Sequence, residues 1–168
     1  MMHVEVIGDK ALIAKFEASL KAMDAAKPAT LRKSGMAIQM NIRDTIWKVF
    51  QQRTGDLFNS VRIFYQTKNG ISVGTGKGLD YAEPLELGSV PHIIVAKGGQ
   101  ESALDSPNYQ GLLTFWWEKA GMFFVGPYVW HPGNRPYRYV YAGTVRAMPQ
   151  VYRYCCDMVA VAFGIPMK

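Results

Sequence analysis

Two carboxylates and a histidine lie close together in Y-A-E-P-L-E-L-G-S-V-P-H-I-I-V, residues 81–95: Glu83, Glu86 and His92. Such groups could act as an acid–base pair, ligate a metal, or present charge to a partner. On a helical turn Glu83 and Glu86 share one face, three residues apart. Glycosidase carboxylates must straddle a bond at a set separation, which neighbours on one turn rarely reach. No further acid–base constellation lies nearby in sequence, so the pair reads as solvated or partner-facing charge.

The other reactive residue types fare no better. His3, His92 and His131 lack the paired spacing of a zinc site, and the last two each adjoin a proline. G-T-G-K-G at 74–78 lacks the spacing of a phosphate-binding loop and no helical pattern follows it. It reads as a strand end or turn. Ser60 and Ser89 sit in no nucleophile elbow, and Cys155 and Cys156 fall in an apolar helical pattern that reads as packed core. The expectation is therefore no enzyme, no catalytic or metal residue and no cofactor.

Composition frames this outcome. The 168 residues fit one domain that buries about 70% of its unfolded surface. Half the residues are apolar, as in a soluble globular chain, and the net charge is +6. Counting Lys and Arg against Asp and Glu, residues 1–55 carry +4, 56–110 carry −2 and 111–168 carry +4. That pattern fits a nucleic-acid partner, or a positive face of one subunit meeting a negative face of another. No Lys/Arg-dense arm is present, which weighs against strong DNA readout. Two adjacent cysteines make no disulfide framework, so a reducing cytosol is the expected place of synthesis. Neither a signal-like N-terminus nor a membrane-length apolar run appears.

The elements follow from periodicity. H-V-E-V-I-G at 3–8 alternates like a short strand. Asp9 is placed to cap a helix with Leu12, Ile13, Phe16, Leu20 and Met23 on one stripe, ending at or before Pro28. A second, longer helix is expected over 29–52, with Leu31, Ile38, Ile42, Ile46 and Val49 as its buried seam. Arg32, Lys33, Arg43 and Lys48 decorate its other faces, and Gly35 permits close approach of another backbone. Thr54 caps one short turn, and two strands then alternate around Asn69-Gly70, a hairpin signal. The segment 97–111 reads as an exposed loop, and 112–130 as two strands turning at 119–121. Residues 131–137 form a turn. A last helix carries Val145, Met148, Tyr152, Cys155 and Val159, with Pro149 expected to kink or interrupt it and Gly164 to end it. The sum is a single α+β domain spanning 1–168: N-terminal helices including one long one, antiparallel β-hairpins forming a small sheet, and a C-terminal helix.

Three stretches carry a family resemblance. R-T-G-D-L-F-N-S-V resembles the T-G-x-L-x-x-S-[IV] segment of tailed-bacteriophage minor tail, tail-completion or head–tail joining (neck) proteins, lambda-like Z-type. The matching residues are Thr54, Gly55, Leu57, Ser60 and Val61. Y-A-E-P-L-E-L-G-S-V-P-H-I-I is similar to that family's Y-A-x-x-[LV]-E-x-G-[ST] and P-H-x-I, through Tyr81, Glu86, Gly88, Pro91 and His92. An H-P-G turn before the C-terminal helix matches at His131, Pro132, Gly133 and Pro136. The order holds over about residues 4–162, with the 97–111 loop and Tyr139 as departures.

The resemblance implies a virion structural protein without catalytic residues, made in the host cytoplasm. It would form a ring, a hexamer, in the connector between portal and tail tube. Head-closure or adaptor proteins and tail terminator or tail tube proteins would be its partners, with genome DNA passing through the lumen and no membrane involved. Within it, Glu86 reads as a structural or inter-subunit charge. A tail terminator ring is the near alternative. A basic nucleic-acid-binding module is the rival from another class, and a small hydrolase stands further off.

Overall fold

A computed structural model describes residues 8–50, 55–76, 78–95, 112–117 and 121–166. It shows a mixed α+β fold with a long N-terminal helix, antiparallel β-hairpins and a C-terminal helix. The elements are α1 (Asp9–Val49), α2 (Asp56–Ser60), β1 (Arg62–Gln66), β2 (Ile71–Gly74), α3 (Ala82–Leu87), β3 (His92–Val95), β4 (Leu113–Trp117), β5 (Met122–Gly126), β6 (Tyr128–His131) and α4 (Tyr139–Phe163). They fall into two compact units: Met1–Ala82 with Arg138–Lys168, and Glu83–Tyr137. The expected strand at 3–7 and the expected loop at 97–111 lie outside the described residues.

In the first unit, α1 and α4 lie side by side and antiparallel. Phe16 meets Phe163 edge-on at one end, and Phe50 meets Tyr139 at the other. Between these ends, Gly143 lets α4 approach until a Cβ there would sit 2.5 Å from the Ile42 Cα. A single glycine thus sets the closeness of the pair. Ile42, Ile46, Tyr139 and Ala147 are buried along it, each larger apolar side chain contributing roughly 1.5–3 kcal/mol. The Tyr139 hydroxyl, fully buried, donates to the Ala82 carbonyl at 3.1 Å.

Two expected boundaries need correction. The helix does not end at Pro28 but runs through it, so the two expected helices are one of 41 residues, about 60 Å long. Proline there removes one intrahelical hydrogen bond, at a cost of about 3 kcal/mol. Contacts with α4 on both sides of residue 28, at Phe16 and at Ile42, offset that cost. Thr30 Oγ1 donates to the Ala26 carbonyl and Gln66 Nε2 to that of Pro28, holding carbonyls around the defect. Pro149 likewise fails to interrupt α4, which ends as expected at Gly164 in a left-handed cap. There the Gly164 and Ile165 N–H groups return to the Val161 and Ala160 carbonyls. At the start of α1 the cap is Gly8, and Asp9 is the first helical residue, its carboxylate near the positive helix end.

β1 and β2 form an antiparallel hairpin against α1, with an irregularity between Ile63 and Tyr65. Gly35 admits the Ile71 and Ile63 side chains, so the approach is by side chains and not by backbone. The Asn69-Gly70 turn is not the two-residue type. Gln66 pairs with Ile71, Thr67 N–H donates to the Gly70 carbonyl at 2.8 Å, and neither Asn69 nor Gly70 has positive φ. Thr67 Oγ1, which holds both Asn69 N–H and Gly70 C=O, makes the wider loop closed enough. In the second unit β3 pairs with β6 and β4 with β5. The described strands therefore form three two-stranded ladders in place of one small sheet. The expected second strand of 112–130 breaks at Pro127, and its latter half joins β3.

Asp44 accepts Lys48 at 2.7 Å and Arg146 at 3.0 Å, tying α1 to α4. The Lys48 hydrogen bond, then the charges of Lys48 and Arg146, hold its carboxyl below the usual aspartate value. A depressed folded pKa stabilises above the unfolded value, and that stabilisation fades as pH falls through the folded one.

Gly143→Ala should lower stability by roughly 1–3 kcal/mol in chemical denaturation, because overpacking against Ile42 outweighs the roughly 1 kcal/mol helix-propensity gain. Gln150→Ala, on the exposed side of the same helix, should be nearly neutral. A stabilising Gly143→Ala would contradict the close packing.

Candidate functional site

The residues singled out by the resemblance fall into two structural fasteners, one in each unit. Thr54 lies outside the described residues. Gly55, at φ 89°, opens α2 and its carbonyl accepts Asn59 N–H at 2.8 Å. Leu57 is buried, and Ser60 Oγ donates to the Leu57 carbonyl at 2.7 Å. Val61 is fully buried. Its carbonyl takes Gln39 Nε2 at 2.8 Å and Arg43 Nη2 at 2.9 Å. Arg43 Nε also donates to the Phe58 carbonyl at 3.2 Å, and its guanidinium covers the Phe58 ring at 5.3 Å. Arg43 is thus no surface decoration; it clamps the α2–β1 junction to α1. Sequence reasoning missed it, because nothing near Arg43 in the sequence points to the Phe58 ring and carbonyl fifteen residues on.

In the second unit the G-S-V-P-H loop and the H-P-G turn, forty residues apart, meet as one clasp. Ser89 and Asn134 exchange backbone hydrogen bonds of 3.0 and 3.1 Å, and Asn134 N–H also reaches Ser89 Oγ at 3.0 Å. Gly133, at φ 84°, lies so close to the Ser89 carbonyl that a side chain would collide with it. Gly88, at φ 83°, similarly lies under the Asn134 carbonyl and Pro136. Tyr137 N–H closes the clasp on the Leu85 carbonyl at 2.9 Å, which holds the end of α3.

His92 and His131 face each other in the β3–β6 register, rings 5.0 Å apart. His92 Nδ1 lies 2.9 Å from the Val90 carbonyl, so Nδ1 carries the proton and donates. His131 Nδ1 accepts Gly133 N–H at 3.1 Å, which leaves the proton of a neutral ring on Nε2. Each imidazole thus pins its own turn. Glu86 is half-buried on α3, Glu83 and Tyr81 are exposed, and Pro132 sits in the turn between His131 and Gly133. No group of three or more His, Cys, Asp or Glu among the described residues is placed to hold a metal ion. No described helix is long and apolar enough to cross a membrane.

The surfaces depart most from expectation. Leu12, Ile13, Phe16 and Leu20, the first helical stripe, are each more than half exposed. Val145, Met148, Tyr152 and Val159 on α4 also face outward, as do Cys155 and Cys156. The cysteines are not core, and Val49 too is exposed. The reason is that the middle of α4 packs on α1 through Gly143 and Ala147, which leaves the opposite face, with Val145, Met148 and Tyr152, turned away. Beside Tyr152, Cys156 raises the phenol's pKa, mainly by a hydrogen bond. In the second unit the β4–β5 hairpin exposes Trp116, Phe123 and Val125 to 54, 63 and 59%. A two-stranded ribbon of this kind is only marginally stable in water without cover.

Comparison with protein-family models, with curated proteins and with solved structures returns no match.

Gly133→Ala should destabilise the second unit by roughly 1–3 kcal/mol, since it combines positive φ with a backbone collision. Gly121→Ala, with positive φ but open space around it, should cost less. Thermal melts of the two variants check the order.

Proposed function

We propose that the chain is a virion structural protein of a tailed bacteriophage, a subunit of a ring in the head–tail connector that joins the portal side to the tail tube and lets DNA pass. The observation that carries the reading is the clasp. Two of the three motif segments behind the family resemblance are bonded to each other through Ser89, Asn134 and Gly133, so their matching order reflects one folded element. The α+β architecture, with its long helix followed by a hairpin and closed by a C-terminal helix, agrees with the same reading. The apolar faces of α1, α4 and β4–β5 supply surface for neighbours.

In this role the motif residues act by holding shape. Gly88 and Gly133 fix the clasp, Arg43 fixes the α2 junction, and Glu86 supplies the charge that a basic neighbouring face would meet. The basic outer thirds of the sequence favour a second reading, a nucleic-acid-binding module. That module would bind duplex DNA tightly, with affinity falling steeply as salt rises. A connector ring should not grip DNA, because phosphate contacts would slow its transit.

Glu86→Lys should leave the circular dichroism spectrum near wild type while reducing ring assembly or infectious particle yield. Normal yield from that variant would remove the interface role of Glu86. Gel retardation at two salt concentrations separates the two classes, with weak binding at both expected for the ring protein.

A further inference from the structure

We propose that the outer face of α4 in one copy packs against the N-terminal half of α1 in a second copy of this chain. Along α4, Tyr141, Val145, Met148, Tyr152, Cys155 and Val159 recur at alternating steps of four and three residues. That is the spacing of a helix-packing seam, and it is sustained over nearly three heptads. Tyr141, Val145, Met148 and Tyr152 are 64, 52, 51 and 72% exposed. None of the six is charged, and Arg146, on the side toward α1, is bonded to Asp44.

The same chain carries a matching seam. Ile13, Phe16, Leu20 and Met23 on α1 follow steps of three, four and three, with the first three more than half exposed. A lipid surface is a poorer occupant for α4, since interfacial helices line their apolar face with several Lys or Arg, and this seam is flanked by Arg153 alone once Arg146 is bonded to Asp44.

Two unlike seams on one unit decide the geometry. Pairing α4 with α4 would cover one seam and leave the other wet. Pairing α4 with the next copy's α1 covers both in every copy, a heterologous contact that closes by rotation. The α4 seam presents roughly 500 Å² of side chain, short of the roughly 800 Å² per partner of a stable interface. One contact, with the α4 seam on one side and the smaller α1 seam on the other, is therefore of the weak class, and a closed ring repeats it between every pair of neighbours. This inference rests on the ring reading for the existence of several copies, and on the two seams for where they touch.

The test uses the full-length chain with Cys156→Ser, keeping Cys155 on the α4 seam. Ile13→Cys, Phe16→Cys and Leu20→Cys are introduced one at a time and treated with a short bismaleimide. At least one should give a ladder beyond the dimer on a denaturing gel, and the Cys156→Ser parent should not. Tyr152→Arg should abolish the ladder and weaken self-association by about tenfold or more with helicity unchanged. Dimers alone would replace the proposed contact by α4 against α4. Assemblies seen by electron microscopy without any ladder would overturn the inference and leave the ring reading standing. A chain that stays monomeric at rising concentration, without a ladder, would overturn both.

Discussion

The close approach of α4 to α1 at Gly143 is the constraint on which the first unit depends. With no side chain at 143 and only Ala147 one turn on, α4 lies against the Ile42 backbone. That contact sends the Tyr139 ring into the core, where its hydroxyl reaches the Ala82 carbonyl. It also fixes which way the rest of α4 points. A helix that packs through glycine and alanine turns its opposite face outward, and here that face carries Tyr141, Val145, Met148 and Tyr152. Core and exposed face are two consequences of one choice of packing residues.

The second unit is ordered by hydrogen bonds more than by burial. None of the larger apolar side chains described between Glu83 and Tyr137 is fully buried, yet the clasp around Ser89 and Asn134 is dense in short backbone contacts. Two positive-φ glycines are required to bring the loop and the turn that close. The histidines serve the same end, each spending its Nδ1 on a local backbone group. A residue triplet such as H-P-G looks chemical in a sequence, but in this fold its value is geometric.

Much of the fold was legible in the sequence where the signal was local. The helical character of 10–49, the hairpin around Asn69-Gly70 and the Gly164 stop all follow from capping, periodicity and turn chemistry. The misses share a cause: each depended on a neighbour distant in sequence. Pro28 reads as a helix end because the cost of a proline inside a helix is visible locally, while the contacts with α4 that offset it are not. The outward stripe of α4 reads as core because helical spacing marks an apolar face without saying what lies beneath it. For the candidate site, the residues Gly88, His92, His131 and Gly133 were legible as a group. Their mutual bonding was not, since nothing in either segment encodes the other's position. Arg43 was missed because a charged residue on a helix defaults to solvent, and only the free carbonyls of Phe58 and Val61 give it a buried task.

Eight apolar residues are buried among the described residues, and three of those are alanines. At a few kcal/mol for each larger side chain, such a core sits near the margin at which conformational entropy prevails. The side chains that would deepen it are present in the sequence but lie on α1, α4 and the β4–β5 ribbon, facing away from the unit that carries them. A chain selected to work alone gains by turning such residues inward, because each exposed aromatic forfeits burial and invites nonspecific contact. Their arrangement argues against simple poor packing: on α4 they follow a seam spacing and exclude charge, and on β4–β5 they pair ring against ring as Trp116–Phe123 and Phe115–Phe124. On the proposed ring reading, ordered apolar surface of this kind would complete its packing on association. On that same reading, the stability of the isolated chain and its capacity to assemble would be set by the same residues, divided between a thin internal core and faces kept for neighbours.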